Sequence, residues 1–253
     1  MDEFAVPRSD EPFDFRHQAA AYAAYRRDYS TALYDAIEAH AGAPAGRRAV
    51  DLGCGTGLVA ATLARRGWRT VGVDFSGPML VEAKRTGVGL VRGRGEAIPV
   101  RTHAAALLAS GTAFHWFAPA DALREIARVL APGGWAALFW RYARPGEATN
   151  RVIGEVMTRF GAPVLPDDLV VHAPDPFAGS TLRPEPPILL ESVLHFTAES
   201  FHGWVSTLEW IRRVTGPRHA AFLAALREEV SRRFPAGIAE PNVEYLFLAR
   251  RAG

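Results

Sequence analysis

A short glycine-rich stretch offers the clearest chemistry in this sequence. Residues 50–57 are Val-Asp-Leu-Gly-Cys-Gly-Thr-Gly, and Asp74 stands at the end of the next apolar run. Glycine has no Cβ and adopts positive φ, so its backbone can approach a ligand closely. The carboxylate of Asp74 can accept two hydrogen bonds from a vicinal diol such as that of ribose. Gly53, Gly55, Gly57 and Asp74 therefore predict a site for an adenosine-bearing cofactor.

The spacing of these glycines distinguishes two kinds of cofactor. A dinucleotide fingerprint is Gly-x-Gly-x-x-Gly, whereas this chain has Gly-x-Gly-x-Gly, with Leu58 where the fingerprint has its third glycine. Asp51 precedes Gly53 by two residues and places a negative charge where a pyrophosphate would be repelled and an α-ammonium group attracted. A nucleoside that carries an amino acid fits these residues better than NAD does.

One histidine follows a predicted strand at the place where substrates bind in such sheets. His115 and Trp116 come after a strand that ends near Ser110 and Gly111, and ligands of open α/β sheets bind at the carboxyl edge. Because imidazole titrates near neutral pH, His115 is a candidate catalytic residue, as a general base or as an orienting donor. The alternative is a packed, hydrogen-bonded histidine beside a core tryptophan.

The composition excludes several other classes of protein. Among 253 residues, 29 Lys and Arg stand against 27 Asp and Glu, which argues against a strongly basic nucleic-acid-binding protein. Cys54 is the single cysteine, so neither an intrachain disulfide nor a cysteine-based zinc site is possible. The sequence has no evident metal-ligand cluster and no apolar run of about 18 residues. We expect a cytoplasmic protein that needs no metal, membrane or nucleic acid.

Apolar runs alternate with amphipathic segments in the first part of the chain. Ser30 is a predicted helix cap, Gly67 ends a helix, and Pro132-Gly133-Gly134 separates a helix from the strand that follows. Strands that alternate with helices form a parallel sheet covered on both faces. The predicted strands are 49–52, 70–73, 90–91, 104–109 and 135–140, and the helices between them are 58–66, 78–85 and 119–130.

The alternation stops after Trp140, where a proline-rich region begins. We expect an inserted helix near 150–160, and then a strand at 193–196, helices at 199–214 and 219–234, and a closing strand at 243–249. The predicted fold is α/β, a doubly wound and mostly parallel seven-stranded Rossmann-like sheet. N-terminal helices and an insertion after the fifth strand, residues 142–190, form a lid. Residues 1–14 are a flexible tail, and 15–253 form one domain.

Five segments occur in the order in which one protein family has them. They are VDLGCGTG, VGVDFS, RGRGEAIP, SGTAFHWF and REIARVLAPGGWAALFW. Together they resemble the class I S-adenosylmethionine-dependent methyltransferases, and the likeness covers roughly Phe15 to Trp140. FRHQAAAYAAYRRDYS, with the later AFHWF, is similar to the small-molecule branch that includes trans-aconitate-type carboxyl methyltransferases.

The resemblance implies a role for individual residues. It places Asp51 and the three glycines at the methionine end of the cofactor, Asp74 on the ribose, and Phe75 and Met79 beside the adenine. Arg94 stands where the family often has aspartate, so Glu96 or a backbone carbonyl would accept from the adenine amine. The implied cofactor-binding residues are Tyr22, Arg26, Asp51, Gly53, Gly55, Gly57, Asp74, Phe75, Met79, Glu96 and Ser110.

The segment before the glycine-rich stretch has two interpretations. In the family it resembles, this region closes over the cofactor, which implies Arg26 on the methionine carboxylate and a tyrosine, such as Tyr22, at the methyl-transfer site. The alternative is an amphipathic surface helix with its tyrosines buried and Arg26 and Arg27 in water. Arg26 and Arg141 are also candidates to hold an acidic methyl acceptor.

The predicted function is S-adenosylmethionine-dependent methylation of a small molecule in secondary metabolism, at the oxygen of a carboxylate or hydroxyl group. One alternative is a protein that binds the same cofactor for a structural purpose or for a reaction other than methylation. A second is a nicotinamide-dependent oxidoreductase on a Rossmann-like core. The sequence does not identify the acceptor or the oligomeric state.

Overall fold

One sheet forms the centre of the computed structural model, in which residues 18–144, 148–162 and 175–253 are described. Its strands in these ranges are β1 (Arg48–Leu52), β2 (Arg69–Asp74), β3 (Gly89–Arg92), β4 (Ala105–Gly111), β5 (Leu130–Ala143), β6 (Arg183–Pro184), β7 (Ile188–Phe196) and β8 (Ile238–Arg250). Their spatial order is β3-β2-β1-β4-β5-β8-β6, and β7 also pairs with β8. The first five strands are parallel, whereas β8 is antiparallel to all of its neighbours.

Helices cover both faces of this sheet. In the described ranges they are α1 (Ala19–Tyr25), α2 (Thr31–Ala41), α3 (Leu58–Arg65), α4 (Gly77–Ala83), α5 (Pro119–Val129), α6 (Ala148–Arg159), α7 (Ala198–Ser206), α8 (Glu209–Thr215) and α9 (His219–Arg233). The Ser30 hydroxyl accepts a hydrogen bond from the Leu33 amide at 3.2 Å and so caps α2 as predicted. A cap of this kind fixes where the helix begins.

The alternation of side chains along β5 divides the core into two layers. Leu138 and Trp140 pack in the same apolar cluster as Ile126 of α5. Phe139, which lies between them in sequence, packs in a second cluster with Leu33 of α2. Since successive strand residues face opposite sides, β5 is buried on both faces, as a central strand of a doubly wound sheet must be.

A third apolar cluster lies among the later helices. Val156 of α6, Phe201 of α7, Ile211 of α8 and Phe222 of α9 are all buried in it. Helix α1 contacts both α4 and α7, and so connects this helical layer to the helix that follows β2. The layer and α1 thus flank the region where the parallel strands end.

The predicted α/β, mostly parallel, Rossmann-like fold is confirmed, with three differences in detail. The described sheet has eight strands instead of seven, because the two-residue β6 also pairs with β8. The helix expected at 199–214 is two helices, separated at Thr207, whose hydroxyl donates to the Trp204 carbonyl at 2.6 Å. The Pro132-Gly133-Gly134 break lies inside β5, and the register shift between Ala105 and Leu107 of β4 accommodates it.

The inserted helix predicted near 150–160 is present as α6. The predicted flexible tail, residues 1–14, lies outside the described residues, as does the central part of the predicted lid insertion. The division of the chain into tail, domain and lid therefore stays a prediction.

Candidate active site

The glycine loop joins β1 to α3 at the carboxyl edge of the sheet. Gly53, Gly55 and Gly57 all have positive φ, at +70°, +53° and +83°. The Gly53 amide donates to the Val73 carbonyl of β2 at 2.8 Å, which ties the loop to the neighbouring strand. Such a loop exposes backbone at the place where open α/β sheets bind ligands.

Three glycines in this region differ in how closely other residues surround them. A Cβ on Gly53 would lie 2.5 Å from the Cβ of Ala113, and one on Gly95 would lie 2.6 Å from the Phe117 ring. A Cβ on Gly55 would meet nothing within 4 Å. Gly53 and Gly95 thus permit the close approach of the segment after β4, whereas Gly55 borders open space. Ala113 and Phe117 belong to the SGTAFHWF segment, but that segment did not indicate that they pack against Gly53 and Gly95.

Asp51 is buried directly beneath this loop. Its side chain is 1% exposed, and Oδ2 accepts a hydrogen bond from the Ala60 amide in the first turn of α3 at 2.8 Å. Oδ1 has no hydrogen-bond partner among the described residues. Burial raises the pKa of Asp51 to about 8, and the nearby charges of Asp74 and Asp28 add to this shift. A buried acceptor without a partner is suited to a cationic donor.

Asp74 lies at the end of β2 and contacts the loop directly. Its Oδ2 accepts from the Gly55 amide and its Oδ1 from the Ser76 amide, both at 2.8 Å. Burial raises the pKa of Asp74, and the backbone hydrogen bonds oppose that shift. The carboxylate offers about four lone-pair sites and the amides of Ser76, Gly55 and Phe75 engage three of them, so Asp74 can still accept from a hydroxyl of a diol. The structure therefore brings together Asp51, the three glycines and Asp74, as the sequence predicted.

Four other predicted cofactor residues have internal contacts. Met79 is 2% exposed and packs in the protein interior. The Ser110 hydroxyl is fully buried and donates to the Leu52 carbonyl at 2.8 Å, and Glu96 accepts from the Ala118 amide at 2.7 Å. The Phe75 carbonyl accepts from Arg92 Nε at 2.9 Å. Contact of these residues with a cofactor stays a prediction.

Arg26 and Tyr22 lie where α1 meets α7. The guanidinium carbon of Arg26 is 4.8 Å from the centre of the Tyr22 ring, and Nη2 donates to the Thr207 carbonyl at 3.1 Å. Its Nε is buried without a partner among the described residues. Arg26 is therefore only partly exposed, in contrast to the fully solvated arginine of the surface-helix alternative, and its Nε is a buried donor available to an anion.

His115 is held by Trp140, a residue for which the sequence indicates no role in the site. It lies in a 3₁₀ turn, Phe114–Trp116, after β4, and its Nδ1 accepts a hydrogen bond from Trp140 Nε1 of β5 at 3.2 Å. Part of the side chain reaches solvent, but the protein packed around the ring lowers its pKa to about 4 by desolvation. The imidazole is therefore neutral near pH 7.

The comparisons with known proteins agree with this geometry. Residues 50–138 match the family model described as a methyltransferase domain. The uncharacterized methyltransferase Rv3342 of Mycobacterium tuberculosis is 33% identical over 172 residues, which cover 67% of this chain and 68% of that protein. The chain belongs to the class I S-adenosylmethionine-dependent methyltransferases. This membership selects S-adenosylmethionine as the cofactor over the nicotinamide alternative.

Two further comparisons describe what this methyltransferase is similar to. The malonyl-[acyl-carrier protein] O-methyltransferase of Methylococcus capsulatus is 36% identical over 138 residues, 50% of this chain and 47% of that one. The crystal structure of the YcgJ protein from Bacillus subtilis shares the fold, with a TM-score of 0.54 and 18% identity over 88% of this chain and all, 100%, of that chain.

The buried groups of the methyltransferase fit its cofactor. The unpartnered Oδ1 of Asp51 suits the α-ammonium group, the lone pairs of Asp74 suit the ribose diol, and Gly55 leaves room for backbone approach. Thr56 Oγ1 is a second buried oxygen in the loop without a partner among the described residues. The fit of these groups to a cationic amino-acid nucleoside agrees with the family.

Arg141 of the methyltransferase does not have the role that the sequence suggested. Its guanidinium donates to Glu244 at 2.5 Å and to the Asp28 carbonyl at 2.6 Å, and the Glu244 side chain is completely buried. These internal contacts correct the hypothesis that Arg141 holds an acidic acceptor. They fasten the segment between α1 and α2 to the sheet instead.

In the described ranges of the methyltransferase, no group of three or more His, Cys, Asp or Glu side chains could hold a metal ion. The same ranges contain no helix with both the length and the apolar character needed to cross a bilayer.

Proposed function

We propose that this methyltransferase transfers the methyl group to an oxygen atom of a small molecule. The observation that carries the proposal is His115, a neutral imidazole at the carboxyl edge of β4 whose Nδ1 is occupied by Trp140. Its other nitrogen is an N–H donor, which matches the lone pairs of an oxygen acceptor. A relative that matches 50% of this chain is named as an O-methyltransferase, which supports oxygen as the atom that is methylated.

The cofactor-binding carboxylates we propose lie at the ends of β1 and β2, whereas His115 follows β4. Asp51 and Arg26 would hold the amino and carboxylate groups of the methionine part, and Asp74 the ribose. S-adenosylmethionine supplies a methyl group on a positively charged sulfur. The chain then contributes mainly orientation, which in favourable cases lowers a barrier by about 7 to 11 kcal/mol.

An isotope-labelling experiment tests which atom of the product receives the methyl group. The protein is incubated with ¹³C-methyl S-adenosylmethionine and a bacterial small-molecule extract, and the carbon chemical shift of each new methyl group identifies the atom that carries it. We expect methyl groups on oxygen. Methyl groups on nitrogen or carbon alone would overturn the oxygen assignment, and the absence of any labelled product would favour a structural or other non-methylating use of the cofactor.

Binding of S-adenosylhomocysteine tests the proposed cofactor-binding residues separately from methyl transfer. Asp74→Ala removes the carboxylate that we assign to the ribose and should weaken binding by about 1 to 3 kcal/mol in calorimetry. Asp35→Ala is the matched control, because Asp35 lies on α2 in an exposed ion pair with Arg66. Equal affinity of both variants would show that Asp74 does not contact the cofactor. Membership in the trans-aconitate branch and a role in secondary metabolism stay predictions.

A further inference from the structure

The hydrogen bond between Trp140 and His115 determines which nitrogen of the imidazole carries the proton. An indole Nε1–H can only donate, so the Nδ1 of His115, at 3.2 Å, must be the acceptor. A neutral imidazole has a single N–H, and here that N–H is on Nε2. No described residue hydrogen-bonds to Nε2. The ring is thus fixed as a donor toward whatever binds beside it.

Trp140 is itself held firmly in place. It is 6% exposed, lies in the sheet between Phe139 and Arg141, and packs edge-on against Phe247 of β8 at 5.8 Å between ring centres. The Trp116 ring lies 4.9 Å from the His115 ring between ring centres, and Trp116 is 44% exposed. A rigid indole therefore supports the imidazole, and a partly exposed aromatic ring lies beside it.

The position of His115 relates it to the cofactor loop. In sequence, His115 is two residues after Ala113 and two before Phe117. A Cβ on Gly53 would be 2.5 Å from the Ala113 Cβ and 3.3 Å from the Phe117 ring. The turn that carries the imidazole is thus packed directly on the glycine loop. Within class I geometry, an acceptor at the carboxyl ends of β4 and β5 lies within reach of this turn.

We propose that His115 donates a hydrogen bond from Nε2 to the acceptor oxygen, that Trp140 is the positioning residue that fixes this tautomer, and that the acceptor oxygen is already ionised. A carboxylate or an acidic enol meets this description. The inference rests on the proposed O-methylation and narrows its substrate class. His115 is then an orienting donor and not the general base that the sequence left open.

The balance of the reaction explains why the acceptor should arrive ionised. A lone pair of the oxygen forms the new bond to carbon, the carbon–sulfur bond breaks, and its electron pair stays on sulfur, which becomes a neutral thioether. With an oxygen anion, no proton is released and no base is needed. A neutral hydroxyl would release a proton, and His115 could take it only on Nδ1, after losing the hydrogen bond from Trp140.

The tautomer can be measured without any acceptor. Two-bond ¹H–¹⁵N spectra of histidine-labelled protein distinguish the two neutral tautomers from imidazolium, and His115→Gln identifies the signal. We expect the Nε2–H tautomer in the wild type and a mixture of tautomers in Trp140→Phe. Trp135→Phe is the matched control, since Trp135 is similarly buried at 9% on the same strand and instead contacts His40 at 5.5 Å between ring centres.

Each result bears on the positioning role. An Nδ1–H or charged His115 in the wild type, or an unchanged tautomer in Trp140→Phe, would overturn it. An altered His115 signal in Trp135→Phe would also count against the positioning role of Trp140, because any change of a buried tryptophan in β5 would then affect the His115 tautomer. Calorimetry with S-adenosylhomocysteine should give the same affinity for wild type and Trp140→Phe, which separates acceptor orientation from cofactor binding.

The class of acceptor has its own test. Labelled products from the small-molecule extract are treated with alkali, which releases methanol from methyl esters, and with acid, which releases it from enol ethers. We expect the label to be released by one of these treatments, and His115→Leu to lower the rate of its formation about 100-fold. A methyl ether that survives both treatments would overturn the ionised acceptor while leaving O-methylation intact. N-methyl or C-methyl products would overturn the proposed function itself.

Discussion

Replacing Asp51 with asparagine should remove a titration from the protein core and change how stability depends on pH. The carboxyl is 1% exposed, one oxygen is bonded to the Ala60 amide, and the other has no partner in the described part of the chain. Its pKa is about 8 in the folded protein against an ordinary value of 3.8. Between these two values the folded state keeps a proton that the unfolded chain has lost, so stability falls as pH rises.

The size of the effect follows from proton linkage. One proton of difference changes the free energy of unfolding by about 1.4 kcal/mol per pH unit, or about 3 kcal/mol between pH 5 and pH 7. His115 acts in the opposite direction below its ordinary pKa of 6.5, because its folded pKa is about 4 and the unfolded chain takes up the proton first. Wild type and Asp51→Asn share this contribution, so the difference between them isolates Asp51.

Urea unfolding of both proteins at pH 5, 6 and 7, followed by tryptophan fluorescence, measures this difference. We expect the stability of Asp51→Asn relative to wild type to increase by about 3 kcal/mol over this range. Saturating S-adenosylhomocysteine should flatten the wild-type dependence, since an ammonium group beside Asp51 favours the carboxylate. Parallel pH dependences of the two ligand-free proteins would refute the assignment of a protonated, unpartnered carboxyl beneath the loop.

Three further experiments test the packing around the site. Gly53→Ala should lower the free energy of unfolding by about 1 to 3 kcal/mol more than Gly55→Ala in urea unfolding, because both have positive φ but only Gly53 is crowded by a neighbouring Cβ at 2.5 Å. Arg141→Met should lower it by about 3 to 5 kcal/mol, since Glu244 stays buried without its partner; equal stability would contradict this. Gly203→Ala in α7 should speed hydrogen exchange in α1, because the new Cβ would lie 2.4 Å from the ring of Tyr25 in α1. Unchanged exchange would show that the stability of α1 does not depend on its contact with α7 at this position.

Local patterns account for the part of the fold that the sequence predicted. The alternation of strands and helices depends on residues a few positions apart, and so do the Ser30 cap and the positive φ of Gly53, Gly55 and Gly57. Asp74 could be placed for the same reason, because a strand that follows one helix of a parallel sheet returns next to the strand before it. These features needed no knowledge of distant contacts.

Contacts between distant segments were not predictable in this way. The sequence makes Arg141 a candidate to hold an acidic acceptor, but β8 lies beside β5 and brings Glu244, 103 residues away, against it. The sequence gives the charge of each residue and not which strand will be its neighbour. The Trp140 contact to His115 depends likewise on a turn after β4 folding back onto β5. The helix predicted at 199–214 was too long because a hydroxyl bond at Thr207 competes with the helix.

The order of the strands divides the site into two halves that should respond differently to substitution. β1 and β2 provide the loop, Asp51 and Asp74, whose free hydrogen-bonding capacity suits the cofactor. β4 and β5 provide His115 and Trp140, whose free donor suits the acceptor. The halves meet where Ala113 packs on Gly53. Changes to Asp74 should therefore alter cofactor affinity, changes to Trp140 should alter turnover, and only substitutions at the Gly53 contact should alter both.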